Sequence, residues 1–194
     1  MSKQILILVG HPDPSPERLC RALAKRYQEG AESFGHQTTV IDLAELEFPL
    51  LRRGEDWQHG ELPEVLRPVQ EAIRAADHLV IIYPLWLGEM PALLKGLLEQ
   101  VLRPGFAVGD YGQPGGNRRL LSGKSARIII TMGMPGLVYR WYFAAHSLKS
   151  LKRNILAFCG IAPVRSTFFG MAGSSTVRRE NWLRKVFHLG QVGK

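Results

Sequence analysis

Three stretches of this sequence are almost uninterrupted aliphatic runs: QILILV at 4–9, HLVIIY at 78–83 and ARIIITMG at 126–133. A strand with one wet face alternates apolar and polar residues. A strand that is apolar throughout is buried on both faces. Chains that contain several such strands must cover them on both sides, and helices between successive strands are the usual way to do it. The spacing here fits. Leu19, Leu23, Tyr27, Ala31 and Phe34 recur at helical intervals over 16–34, and Gly35 follows as a stop. Helical patterns also run over 63–76, over 91–102 with Pro91 in the first turn, over 141–159 up to Gly160, and over 176–190. Two further strands are expected at 37–43 (QTTVIDL) and 162–170 (APVRSTFFG).

Five strands alternating with helices in 194 residues predict an α/β doubly wound, five-stranded parallel sheet with helices on both faces. Residues 1–194 are expected to form one domain. Order 2-1-3-4-5 is one of the two common arrangements. In such sheets ligands sit beyond the carboxyl ends of the strands, beside strand one. That rule selects the loops after Val9, Tyr83 and Ile130. Residues 44–62 and 104–124 are long connections without a clear element, and the second, rich in glycine, is expected to be a mobile loop near the ligand.

Composition narrows the partners. The formal net charge is +8, which favours an anionic ligand. The basic residues are scattered and form no continuous block, so nucleic acid is not expected. The two cysteines, Cys20 and Cys159, read as reduced thiols of a cytoplasmic protein, and the apolar run at 5–9 is too short for a signal peptide or a membrane span. No metal-ligand pattern stands out.

The first loop is GHPDPSPERLC. Ser15 is placed to cap a helix with Pro16 at its first position, which would aim the free amides of Glu17, Arg18 and Leu19 at an anion. His11 either donates to that anion or bonds to local backbone. The second loop, YPLWLGEMP, puts Trp86 and two leucines at the ligand end of the sheet. They form either an apolar wall for a flat ring or core packing under a neighbouring helix. The third, TMGMPGLVYRWYFAAHS, offers the Thr131 hydroxyl, Gly133 and Gly136 for close approach or positive φ, and Tyr139 and His146 as polar groups that either face a substrate or belong to ordinary surface or interface packing.

Together, GHPDP, YPLWLGEMPALLKGLLEQVLRPGFAV and TMGMPGLVY followed by ILAFCGI resemble the NAD(P)H:quinone oxidoreductase family of flavodoxin-like fold, in the same order over residues 4–170. That group includes quinone reductases, modulators of drug activity and ancillary flavoproteins of potassium-efflux systems. The resemblance implies order 2-1-3-4-5, FAD or FMN as cofactor with FAD favoured, NAD(P)H as co-substrate with NADPH favoured by the charge, a quinone-like acceptor, and a homodimer. It implies that His11 and Glu17, Arg18, Leu19 and Cys20 bind the flavin phosphate. Pro84, Leu85, Trp86 and Leu87 would line one side of the isoalloxazine, and Thr131, Met132, Gly133 and Met134 the other. Tyr139 would act in catalysis, with His146 as its candidate partner although the family's histidine position falls one residue earlier, at Ala145. Backbone amides near Trp86 to Gly88 and at Gly133 would stabilise charge on the reduced ring. The chain departs from the family where Glu17 and Cys20 replace Ser and Asn, and where Met132 and Met134 interrupt Thr-Thr-Gly-Gly. A second reading is a regulatory flavoprotein that docks on a membrane transporter. A one-electron carrier fits poorly with the basic charge.

Overall fold

The computed structural model describes residues 2–109, 118–173 and 175–194. The strands are β1 (Gln4–Val9), β2 (Gln37–Asp42), β3 (His78–Pro84), β4 (Ser125–Met132) and β5 (Val164–Gly170). The helices are α1 (Leu19–Ser33), α2 (Gly54–Gln58), α3 (Arg67–Ala75), α4 (Ala92–Val101), α5 (Gly136–Trp141), α6 (His146–Lys149), a π-helical turn at Ser150–Leu156, and α7 (Thr176–Gln191). All neighbouring strands pair in parallel, in the order β2-β1-β3-β4-β5. This is the flavodoxin-like sheet.

The aliphatic strands occupy the middle of the sheet. Every residue of β3 is buried, and β1 and β4 are buried except at their first residues. Alternate residues serve two cores. Leu6, Leu8, Leu79 and Ile81 face α3 and α4, and Ile5, Ile7, Val80 and Ile82 face α1 and α7. The edge strand β2, QTTVID, is largely exposed. Among the described residues no helix is long and apolar enough to cross a membrane.

Two expectations change. The helix expected over 141–159 is broken. Ala144 and Ala145 have φ of 50° and 48°, and α5, α6 and the π-helical turn replace one continuous helix. The two long connections are better anchored than their composition implies. Arg103, almost fully buried, donates to the Asp56 and Gly60 carbonyls at 2.8 Å and so pins α2 to the end of α4. Within 104–124, Val108 bridges to Arg119, and Ala107, Val108 and Leu121 are core residues. Residues 110–117 of the expected mobile loop lie outside the described residues.

Candidate active site

The loop after β1 is held by its own charged residues. Asp13 accepts from the Ser15 amide at 2.8 Å and from the Arg18 guanidinium. These bonds hold its carboxyl below the usual carboxylate range, the Ser15 amide contributing most. Arg21 bonds Asp42 at 2.9 Å through both Nε and Nη2, tying the loop to the end of β2. This network corrects the expected helix start. Asp13 takes the Ser15 amide in an Asx-type turn, residues 16–17 form a turn, and α1 begins only at Leu19, with Arg18 (φ −63°, ψ 130°) as a cap that gives no side-chain bond. Among the described residues the amides of Glu17 and Leu19 have no acceptor. An uncapped helix start with spare donors is an anion site in chemical terms.

His11 does bond to local backbone, through one ring nitrogen. The Asp13 amide donates to its Nδ1 at 3.1 Å, so the neutral ring carries its hydrogen on Nε2. Burial, helped by Arg21 and Arg18, lowers its pKa and keeps the ring neutral. The His11 ring meets Trp86 edge-on at 5.6 Å, joining the first loop to the second.

In the second loop Trp86 and Glu89 exchange both backbone bonds at 2.9 Å, and Leu87 and Gly88 take φ of 47° and 81°. This is a two-residue hairpin. Its geometry corrects one expectation: the Trp86 amide is used inside the turn and the Leu85 amide is bonded to the Thr131 carbonyl at 2.8 Å. Neither is available to a bound ring. The Trp86 side chain is half exposed at the cleft, whereas Leu87 points wholly into solvent.

The third loop is braced by β5. Met171 and Ala172 amides donate to the Met134 and Met132 carbonyls at 3.1 and 3.0 Å. Gly133 and Gly136 do not have positive φ, which leaves close approach as the reading for them. The close approach occurs at Gly170, where a Cβ would stand 2.4 Å from the Gly136 nitrogen.

The three loops enclose a cleft of about 360 Å³. His11, Glu17, Arg18, Leu19 and Cys20 line it from the first loop, Pro84, Leu85 and Trp86 from the second, and Thr131, Met132 and Gly133 from the third. Leu87 and Met134 are not among its walls; Met134 packs against the core. Tyr139 and His146 do not reach it either. Tyr139 is 1% exposed, its hydroxyl lies 2.6 Å from Ser147 Oγ and accepts from the Leu148 amide at 3.1 Å, and its ring packs on Phe168. His146 is exposed at the start of α6. Sequence reading missed Ala172 and Arg179, which complete the cleft from the β5–α7 side. Arg179 donates to the Glu17 carbonyl at 3.4 Å. The only signal for them was strand order, which puts the start of α7 at the same end of the sheet.

A protein-family model described as the flavodoxin-like fold, Flavodoxin_2, matches residues 3–186. The chain belongs to this flavodoxin-like family. It is 32% identical over 169 residues to an uncharacterized NAD(P)H oxidoreductase of Haemophilus influenzae, covering 85% of this chain and 82% of that protein. It is also 32% identical to the glutathione-regulated potassium-efflux system ancillary protein KefG of Enterobacter sp. strain 638, covering 71% of this chain and 62% of that one. The NAD(P)H:quinone oxidoreductase from Methanothermobacter marburgensis superposes with a TM-score of 0.81 at 26% identity, covering 98% of this chain and 96% of that one.

Proposed function

We propose that the cleft holds a flavin and that the protein is an NAD(P)H oxidoreductase that passes two electrons to quinone-like acceptors. The observation that carries this is the uncapped start of α1, whose spare Glu17 and Leu19 amides meet a cleft walled by Trp86 and Leu85. A phosphate fits the first part and a flat apolar ring the second. The relationship to the Haemophilus influenzae NAD(P)H oxidoreductase supports the electron donor. When bound, a flavin supplies the hydride chemistry; the protein binds and orients it.

Each residue then has a defined task. The Glu17 and Leu19 amides and neutral His11 donate to the phosphate end. The charges of Arg18 and Arg179 offset its negative charge, and Glu17 contributes main chain rather than its carboxylate. Trp86, held edge-on by His11, walls the ring. Met132 and Gly133 lie along the opposite side, and the described residues address the isoalloxazine, ribityl chain and first phosphate that FAD and FMN share. Tyr139, with its hydroxyl engaged by Ser147 and Leu148, acts as a positioning residue for the segment that follows β4.

The working form is a homodimer. Leu137, Trp141 and Tyr142 are 70%, 76% and 81% exposed, a costly apolar surface that a second copy would cover. Catalysis would take place in the cytoplasm. A second reading, a flavoprotein docked on a membrane transporter, is favoured only by the relationship to KefG.

The test is the visible spectrum of the purified protein and the mass of any cofactor released on denaturation. The expected result is a yellow protein that releases a flavin, the mass assigning FAD or FMN. A colourless protein that fails to take up either flavin overturns the proposal.

A further inference from the structure

Cys20 and Thr131 lie opposite each other on the floor of the cleft. Cys20 sits in the first turn of α1 and is 1% exposed; Thr131 is in the last turnless stretch of β4 and is 5% exposed. Their Sγ and Oγ1 are 3.4 Å apart, within hydrogen-bond range for sulfur. Thr131 is the residue where the three loops meet. Its carbonyl accepts from Leu85 of the second loop at 2.8 Å, its neighbours begin the third, and its hydroxyl faces Cys20 in the helix that follows the first.

The direction of the bond follows from chemistry. A thiol is a weak acceptor, whereas a hydroxyl is a good acceptor and donor together. Burial pushes the Cys20 thiol up to about 11, so it keeps its proton at neutral pH. A thiol that gives its hydrogen to Thr131 Oγ1 leaves the Thr131 hydrogen free. Thr131 is one of the residues that wall the cleft.

We propose that Cys20 is a positioning residue: it donates to Thr131 Oγ1 and so presents the Thr131 hydroxyl as a hydrogen-bond donor to a polar atom of the bound flavin. The inference rests on the flavin reading above. It gives a role to the position where the family resemblance expects an asparagine. The cysteine reaches the cofactor through Thr131.

The experiment is titration of apo-protein with FMN and FAD in wild type, Cys20→Ser, Cys20→Ala, Thr131→Val and the Cys20→Ala/Thr131→Val pair. Serine keeps a donor and a similar shape; alanine removes it. Cys20→Ala is expected to weaken flavin binding about tenfold, or about 1.4 kcal/mol. Cys20→Ser should bind within about twofold of wild type, because the oriented donor is restored. Thr131→Val should weaken binding at least as much as Cys20→Ala, and adding Cys20→Ala to it should change nothing more. Thermal midpoints of the apo-proteins separate this from a fold defect, since a packing role alone would lower them without rescue by serine. Flavin binding by Cys20→Ala equal to wild type overturns the inference, as does a serine variant as weak as alanine, or additive effects in the pair. A wild type that binds no flavin overturns the parent reading instead, and is told apart by the wild-type titration alone.

Discussion

At the amino ends of the strands, Arg127, Lys3 and His36 are bonded to the chain itself, although the buried His78 Nε2 has no partner among the described residues. Arg127 donates to the Lys194 carbonyl and, at 2.8 Å, to Thr167 Oγ1. Lys3 donates to the Gly193 carbonyl at 2.7 Å, and His36 Nε2, with its Nδ1 occupied by the Lys3 amide, donates to the Gln191 carbonyl at 3.3 Å. At the carboxyl ends the situation is reversed. The Glu17 and Leu19 amides lack acceptors among the described residues, His11 presents an Nε2 hydrogen, and a cleft lies in front of them. Basic side chains stand at both ends, so their presence does not tell the ends apart. The difference is whether the donors are already used. Spent donors hold the fold, and spare donors beside a cavity are what a ligand needs.

That contrast can be broken at either end. The largest effect is expected for Arg127→Met, which leaves Thr167 and the Lys194 carbonyl without their donor. It should lower unfolding stability by about 2–3 kcal/mol in urea while flavin affinity stays the same. Loss of flavin affinity with unchanged stability would place a ligand function at the wrong end.

Tyr139→Phe is next. Removing the hydroxyl orphans Ser147 Oγ and the buried Leu148 amide, at a cost of about 1–2 kcal/mol. Stopped-flow flavin reduction by NADPH should be unchanged; a slower reduction at wild-type stability would return Tyr139 to the chemistry.

Leu19→Pro removes one amide at the carboxyl end. Arg18 already has the extended backbone that a following proline requires, and proline is tolerated at the first helical position. Flavin should bind about tenfold more weakly, with apo stability within about 1 kcal/mol of wild type. Unchanged affinity would mean that the spare amide does not meet the phosphate.

The last effect is a pH slope at the amino end. Burial, reinforced by Lys3, Arg127 and Arg165, brings His78 down from 6.5 to about 3. Below about pH 6.5 the unfolded chain protonates His78 and the folded chain does not. Stability is therefore highest above that pH and falls on acidification towards 3, by at most about 1.4 kcal/mol per pH unit from this residue. Urea midpoints at pH 7 and pH 5 measure it, and His78→Gln should flatten the slope. An equally steep slope in the variant would assign the effect elsewhere.

How much of this was legible depended on what each residue answers to. The central strands were legible because burial on both faces leaves a run such as HLVIIY no other place in the fold. The cleft loops followed from the parallel sheet. The start of α1 was displaced because the Asp13 carboxylate takes the Ser15 amide in a local turn, and a linear pattern does not show that this turn wins over a Ser15 cap. The break after α5 was invisible because Ala144 and Ala145 favour helix by propensity. Tertiary structure imposes the left-handed pair there, with the Ala145 amide on the Tyr139 carbonyl and the Tyr139 hydroxyl taking the Leu148 amide. Arg179 enters the cleft from a helix about 160 residues after the first loop, in the sense that only strand order brings it near Glu17.

The most direct measurement is anaerobic mixing of the flavin-loaded protein with NADPH, followed by a quinone. The account predicts that NADPH bleaches the flavin absorbance and that the quinone restores it. A bound flavin that neither NADPH nor NADH can bleach would contradict it.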